Sequence, residues 1–77
     1  KTLYYMNKKN KIKIVVNGRL LTVNIKFSLK NLIEKLKTPI NKVAIELNEE
    51  IVDKKKLNKI FLKNKDKIEI VHFIGGG

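Results

Sequence analysis

Residues 11–27 read KIKIVVNGRLLTVNIKF, and this stretch decides the fold. Apolar residues alternate with polar ones on both sides of an Asn-Gly pair, namely Ile12, Ile14 and Val16 before it and Leu21, Val23 and Ile25 after it. Alternation of this kind is typical of strands that bury one face. Asn-Gly between two such runs favours a type I′ turn, because that turn needs positive φ at both central residues. The stretch therefore predicts an antiparallel hairpin with strands over 11–16 and 19–27.

The hydrophobic period changes immediately after the hairpin. Residues 27–39, FSLKNLIEKLKTP, carry apolar side chains at helical spacing, namely Leu29, Leu32, Ile33 and Leu36. Ser28 is the expected N-cap residue. The capping box is expected to be incomplete, because Asn31 stands where Glu or Gln is usual. Pro39 is expected to end the helix by disfavouring helical geometry at the preceding residue.

The second half of the chain predicts more strands. KVAIEL over 42–47 alternates, a short strand is expected near 51–52 with a helical turn near 54–57, and KDKIEIVHFI over 65–74 forms the last strand. A late strand can enter between earlier strands, parallel to the first, which gives a mixed sheet with one main helix on one face. This α+β order predicts the β-grasp (ubiquitin-like) architecture. The expected domain covers 11–74, between a flexible extension over 1–10 and a flexible glycine tail over 75–77.

Composition excludes several classes of function. The chain has 77 residues, no cysteine and one histidine, so thiol catalysis, disulfides and thiolate metal sites are excluded and a histidine metal site has little material. A domain this small needs most inward side chains for its core, so we expect no enzyme pocket and no cofactor bound by the chain itself. No apolar run approaches the ~20 residues of a membrane span, and the first residues lack a signal-peptide core. We expect a cytoplasmic protein.

The formal net charge of +11 is typical of a nucleic-acid-binding protein. However, lysine, isoleucine and asparagine make up 37 of the 77 residues, and all three have AT-rich codons. Arg19 is the sole arginine, although arginine is the residue favoured for phosphate and base contacts. We therefore expect neither a nucleic-acid nor a membrane partner, and we interpret the lysines at 54–56 as solvated. A basic nucleic-acid-binding module stays an alternative.

Three glycines, Gly75, Gly76 and Gly77, follow the last predicted strand. Glycine has no Cβ, so such a tail can enter a narrow channel and its carboxylate is sterically open. An enzyme that holds ATP and magnesium can adenylate such a carboxylate. A cloning remnant, a linker or a frayed end would also give a glycine triplet. The position directly after a β-grasp pattern favours the functional interpretation.

Four segments carry a resemblance to a known family: VNG (16–18), LKNLIEKL (29–36), VAIELNEEIVDK (43–54) and KIEIVHFIGGG (67–77). Over residues 11–77 the sequence resembles the ThiS family, the sulfur carrier proteins of thiamine (thiazole) biosynthesis. The resemblance implies that a ubiquitin-activating-like enzyme, ThiF, adenylates the Gly77 carboxylate with ATP and magnesium. It also implies that sulfur from a cysteine desulfurase pathway makes a thiocarboxylate, whose sulfur the thiazole synthase ThiG accepts. Such a chain is a protein cosubstrate and not an enzyme.

Two other functions share this fold and tail. The small sulfur-carrier subunit of molybdopterin synthase uses the same chemistry. Only the residues of the third and fourth segments favour the thiazole pathway. A ubiquitin-like modifier would instead be attached to protein lysines. One departure from the family concerns the turn at 64–66, NKD, where Lys65 stands in place of glycine. Asn64 is therefore expected to take the positive-φ position.

The outward positions of the predicted sheet indicate a contact surface. Val15, Ala44, Val71 and Phe73 are expected on the face opposite the core residues Ile68 and Ile70. Apolar side chains on an outer face either lie under a loop or bind a partner. We interpret these four as a partner-docking patch. His72, on the core-side register, is expected to be packed or half-exposed and not catalytic.

Overall fold

The computed structural model describes residues 10–73, which form a five-stranded mixed sheet with one α-helix. The strands are β1 (Lys11–Val16), β2 (Arg19–Asn24), β3 (Val43–Leu47), β4 (Glu50–Ile51) and β5 (Lys67–His72), and the helix is α1 (Leu29–Lys35). Two 3₁₀ helices, Ile40–Lys42 and Lys54–Lys59, flank β3 and β4. The predicted element order is confirmed. None of the helices within 10–73 is long and apolar enough to cross a membrane.

The last strand lies at the centre of the sheet. The strand order is β2-β1-β5-β3-β4, with β5 parallel to β1 and antiparallel to β3. Val16 pairs with Ile68 on one side of β5, and Ile45 pairs with Ile70 on the other. The β-grasp prediction is therefore confirmed. The strand that leads into the glycine tail is also the strand that joins the two halves of the sheet.

The hairpin turn has the predicted chemistry, but its second strand is shorter than predicted. Asn17 and Gly18 have φ of 49° and 82°, as a type I′ turn requires. β2 ends at Asn24, because Lys26 takes a φ of 63° and turns the chain away from the sheet. Ile25 is consequently 38% exposed and does not extend the inner face as expected.

The inner face of the sheet packs against α1. The side chains with no more than 1% exposure are Ile14, Leu29, Leu32, Val43, Ile45 and Ile68. Ile70 is 8% exposed, so the assignment of Ile68 and Ile70 to the core is confirmed. β1, β2, β3 and β5 contribute alternate residues and the helix contributes one stripe, whereas both residues of β4 are exposed. The other side chains of these four strands point to the opposite face of the sheet.

The N-terminus of α1 has a complete capping box, and the expectation of an incomplete one was wrong. The Asn31 N–H donates to Ser28 Oγ at 3.0 Å, and the Ser28 N–H donates to Asn31 Oδ1 at 3.1 Å. The shorter asparagine side chain thus reaches the N-cap backbone in place of Glu or Gln. Ser28 is confirmed as the N-cap residue.

The C-terminus of α1 is set by Lys37, so the prediction that Pro39 ends the helix was wrong. Lys37 has a φ of 55°, and its N–H donates to the Glu34 carbonyl at 3.1 Å. The Thr38 N–H donates to the Ile33 carbonyl at 3.1 Å, which completes a Schellman motif. The helix has therefore ended before the proline can act, and Leu36, at its C-cap, is 40% exposed.

The turn before β5 also differs from the sequence prediction. Lys65, not Asn64, has positive φ, at 76°. The Asn64 side chain is used elsewhere, because its Oδ1 accepts the Lys13 N–H at 2.8 Å. The Lys65 N–H donates to the Lys13 carbonyl at 2.7 Å. The turn is thereby joined to β1, and the left-handed conformation falls on a lysine.

We expect Lys65→Gly to stabilise the domain by about 0.5–1 kcal/mol, because glycine adopts positive φ without the steric cost that a Cβ carries. For a domain of this size that gain corresponds to a rise in melting temperature of roughly 2–8 °C. Thermal unfolding followed by circular dichroism measures it. Lys63→Gly is the matched control and should lower stability, since Lys63 does not have positive φ. An unchanged or lower melting temperature for Lys65→Gly would contradict this account of the turn.

Candidate docking face and the base of the tail

β5 brings the predicted site to the end of the sheet. The Phe73 N–H donates to the Lys42 carbonyl at 2.9 Å, so the ladder between β3 and β5 continues to the last described residue. The tail residues Gly75, Gly76 and Gly77 lie outside the described residues, as do residues 1–9 of the predicted extension. The structure therefore fixes the base from which the tail starts.

The outer face carries an apolar group beside this base. Val71 and Phe73 are 53% and 57% exposed, as the alternation of β5 predicted. Ala44, directly opposite Val71 on β3, is half-buried. We call Ala44, Val71 and Phe73 the Phe73 patch. Exposed apolar side chains that cluster in this way are typical of interaction sites.

Val15 shares the outer face but does not join the Phe73 patch. It pairs with Leu20 on β2 and lies beside Lys67 at the start of β5. Val71 is four residues farther along β5, about 13 Å at the usual rise of a strand. Lys67 and Glu69 lie between, with Lys67 Nζ 3.7 Å from Glu69 Oε2. The four predicted docking residues thus form two groups separated by an ion pair.

Two exposed apolar residues of the outer face were missed by sequence reasoning. Leu20 is 67% exposed opposite Val15, and Ile51 is 72% exposed opposite Glu46. The two-residue turn sets the pairing of Val15 with Leu20, so the outward position of Leu20 could have been predicted from the sequence. The outward position of Ile51 depends on the register of β4, and a strand of two residues is too short to show an alternating pattern. Leu20 adds to the apolar group at Val15, whereas Ile51 lies beside Glu46.

Lys54 contacts the Phe73 ring at the end of the sheet. Its Nζ lies 5.3 Å from the ring centroid, within the range of a cation–π interaction. Lys54 begins the second 3₁₀ helix, where the N-cap residue Asp53 accepts the Lys55 N–H at 2.9 Å. The interpretation of lysines 54–56 as a solvated run was therefore wrong for Lys54, which is half-buried. Lys54 also lines a cleft of about 400 Å³ beside α1.

The described residues offer little for catalysis. His72 is exposed, more so than expected, and faces solvent at the end of β5. Among residues 10–73 no group of three His, Asp or Glu side chains is placed to hold a metal ion. The cleft beside α1 is lined mainly by lysines and apolar side chains, such as Lys30, Ile33 and Leu57. The structure instead presents the exposed Phe73 patch and the end of β5, which is hydrogen-bonded to β3 as far as Phe73.

A central last strand and a helix that connects β2 to β3 across one face of the sheet together define a ubiquitin-like β-grasp protein. Fold alone does not assign function. Residues 14–77 match the family model described as ThiS family. The chain belongs to the ThiS family, which includes sulfur carrier proteins of thiamine biosynthesis.

Individual relatives agree with this assignment. The chain is 49% identical to the sulfur carrier protein ThiS of Bacillus subtilis over 35 residues, which are 46% of this chain and 53% of that protein. The crystal structure of the thiamine biosynthesis protein ThiS from Geobacter metallireducens superposes with a TM-score of 0.75 at 29% identity, covering 86% of this chain and all of that one. A thiazole synthase of Paramagnetospirillum magneticum is 38% identical over 66 residues, and the chain spans only 20% of its length.

Proposed function

We propose that this chain carries sulfur as a thiocarboxylate on Gly77 and donates it for thiazole formation in thiamine biosynthesis. The observation that carries the proposal is that the family match runs to Gly77, so it includes all three glycines after β5. The sheet holds the backbone up to Phe73, which supports a role for the following residues as a presented tail.

The proposed chemistry has two steps on the Gly77 carboxylate. A carboxylate oxygen attacks the α-phosphorus of ATP in a ubiquitin-activating-like partner, ThiF, and pyrophosphate leaves. A cysteine desulfurase supplies persulfide sulfur, which a thiol reductant releases as sulfide while the thiol is oxidised to a disulfide. The sulfide then attacks the acyl carbon and AMP leaves. ATP and magnesium belong to the partner in this scheme. The absence of cysteine fits, because the sulfur is carried by the main chain and not by a side chain.

The thiazole synthase ThiG is the proposed sulfur acceptor. A segment similar to this chain occupies 20% of proteins named thiazole synthase in Paramagnetospirillum magneticum and Magnetococcus marinus. A carrier segment and the enzyme that uses it would benefit from sharing one chain, because linkage raises their effective concentration. This relationship favours the thiazole pathway over molybdopterin synthase.

We further propose that the Phe73 patch docks the partner that receives the tail. Its exposed apolar side chains lie where the described chain ends, so a partner that covers them also lies close to the glycines. Val15 and Leu20 would form a second contact across the Lys67–Glu69 ion pair. Binding energy from the patch would hold the tail in place during both reaction steps.

The intact mass of the protein tests the proposed function. The chain is to be purified from cells that also make ThiF and the cysteine desulfurase, and in parallel from cells that lack ThiF. We expect a mass increase equal to one oxygen-to-sulfur exchange in the first sample alone, localised to the C-terminal peptide. No exchange in either sample would contradict the proposal, and covalent adducts on target lysines would favour a ubiquitin-like modifier instead.

A further inference from the structure

The side chain of Asn17 binds the backbone of the strand that leads to the tail. The Ile70 N–H donates to Asn17 Oδ1 at 2.7 Å, and Asn17 Nδ2 donates to the Ile70 carbonyl at 3.3 Å. The Asn17 backbone N–H also donates to the Ile68 carbonyl at 2.9 Å. One turn residue thus contacts β5 at three points, across 53 positions of sequence in the case of Ile70.

These contacts continue the sheet where β1 has already ended. The parallel pairing of β1 with β5 stops at Val16 and Ile68, whereas β5 runs on to His72. The backbone of Asn17 turns away with a φ of 49°. Its amide, which has both a donor and an acceptor, supplies the two hydrogen bonds that another residue of β1 would have made. Asn17 therefore has a second role besides the turn.

We propose that Asn17 is a positioning residue, which fixes the direction of β5 where the strand leads into the tail. The proposal rests on the proposed function, in which the tail must enter a partner's site. β3 holds β5 on one side, through Ala44 and the Lys42 carbonyl, and Asn17 holds it on the other. Three residues separate Ile70 from Phe73, about 10 Å along a strand, so a bend of about 10° at Ile70 would move the base of the tail by about 2 Å.

Two substitutions separate this role from the turn. Asn17→Gly removes the amide but keeps the turn, because glycine adopts positive φ freely. Asn17→Asp also tolerates positive φ and keeps the acceptor for the Ile70 N–H, but it removes the donor. Leu21→Ala is the matched control, since Leu21 is half-buried on β2, a strand that does not pair with β5. It lowers stability without touching these hydrogen bonds.

The first measurement uses the isolated protein. Amide hydrogen exchange of Ile70, read by NMR, should be about tenfold or more faster in Asn17→Gly, since the amide loses its acceptor. In Asn17→Asp the amide should stay protected. Leu21→Ala should change Ile70 exchange only as far as it changes global stability. Unchanged exchange in Asn17→Gly would overturn the proposal.

The second measurement is ATP–pyrophosphate exchange with ThiF. We expect the KM for Asn17→Gly to rise about tenfold with little change in kcat, because the misdirected tail lowers productive binding but reacts normally once bound. The KM for Asn17→Asp should lie between those of Asn17→Gly and the wild type, and Leu21→Ala should keep the wild-type KM. A KM for Asn17→Gly equal to that of Leu21→Ala would overturn the inference alone. If the wild-type chain is not activated, the proposed function fails and this inference fails with it.

Discussion

Removal of Gly77 is expected to abolish ATP-dependent activation of the chain while the domain stays folded. Without this residue the terminal carboxylate moves back by one position, about 3.5 Å along an extended chain. Reacting atoms must approach within about 3–3.5 Å, and a misplacement of 1 Å can already cost about 100-fold in rate. We therefore expect pyrophosphate exchange with ThiF to fall by at least about 100-fold.

Folding should not change on this deletion, because the core residues of β5 are Ile68 and Ile70. The melting temperature of the truncated chain should equal that of the wild type. Gly77→Ala is the matched control, since it keeps the length of the tail and adds only a Cβ; its exchange activity should fall less than that of the deletion. Undiminished exchange by the truncated chain would contradict the assignment of Gly77 as the reacting residue.

Most of the fold was predictable because its signals are local. The Asn17-Gly18 pair sets the turn, and the alternation on both sides sets which residues are buried. The central position of β5 was predicted as one that a late strand can take in a mixed sheet with the helix on one face. Hydrophobic periodicity and turn chemistry therefore lead to the same β-grasp sheet.

The errors occurred where particular hydrogen bonds, some local and some between distant residues, determine the backbone conformation. Lys37 and Lys65 both take positive φ, although lysine rarely adopts this conformation. At Lys65 the reason is the Asn64 side chain, which binds β1 and leaves the next residue to turn the chain. At the start of α1, Asn31 completes the capping box in place of the longer Glu or Gln. No single-residue preference in the sequence predicts these arrangements.

The exposed residues of the candidate site could be predicted from the sequence, but its long-range contacts could not. The outward position of Val71 and Phe73 follows from the period of two along β5, and their exposure agrees with it. The contact of Lys54 with Phe73 and the contact of Asn17 with Ile70 join residues far apart in sequence. They depend on where β1 ends relative to β5 and on the path of the second 3₁₀ helix. Neither can be derived from periodicity.

Phe73→Glu is expected to weaken binding to ThiF by about 30-fold or more, with only a small effect on folding. Central aromatic residues of interfaces commonly contribute at least about 2 kcal/mol, which is about 30-fold in Kd. Burying a carboxylate in the apolar contact adds a desolvation cost. The domain should tolerate the change, because Phe73 is 57% exposed and a glutamate there still has Lys54 as a neighbour of opposite charge.

Phe61→Glu is the matched control for this prediction. Phe61 is 56% exposed, and its backbone pairs with Ser28 at the start of α1, away from the base of the tail. Both variants should keep a melting temperature within about 4 °C of the wild type, since surface substitutions usually change stability by no more than about 0.5 kcal/mol. Titration calorimetry with ThiF should then show a large loss of affinity for Phe73→Glu alone. Equal losses in the two variants would mean that added negative charge, not the Phe73 patch, weakens the complex. A large fall in melting temperature for Phe73→Glu would show that this ring supports the fold and is not a docking residue.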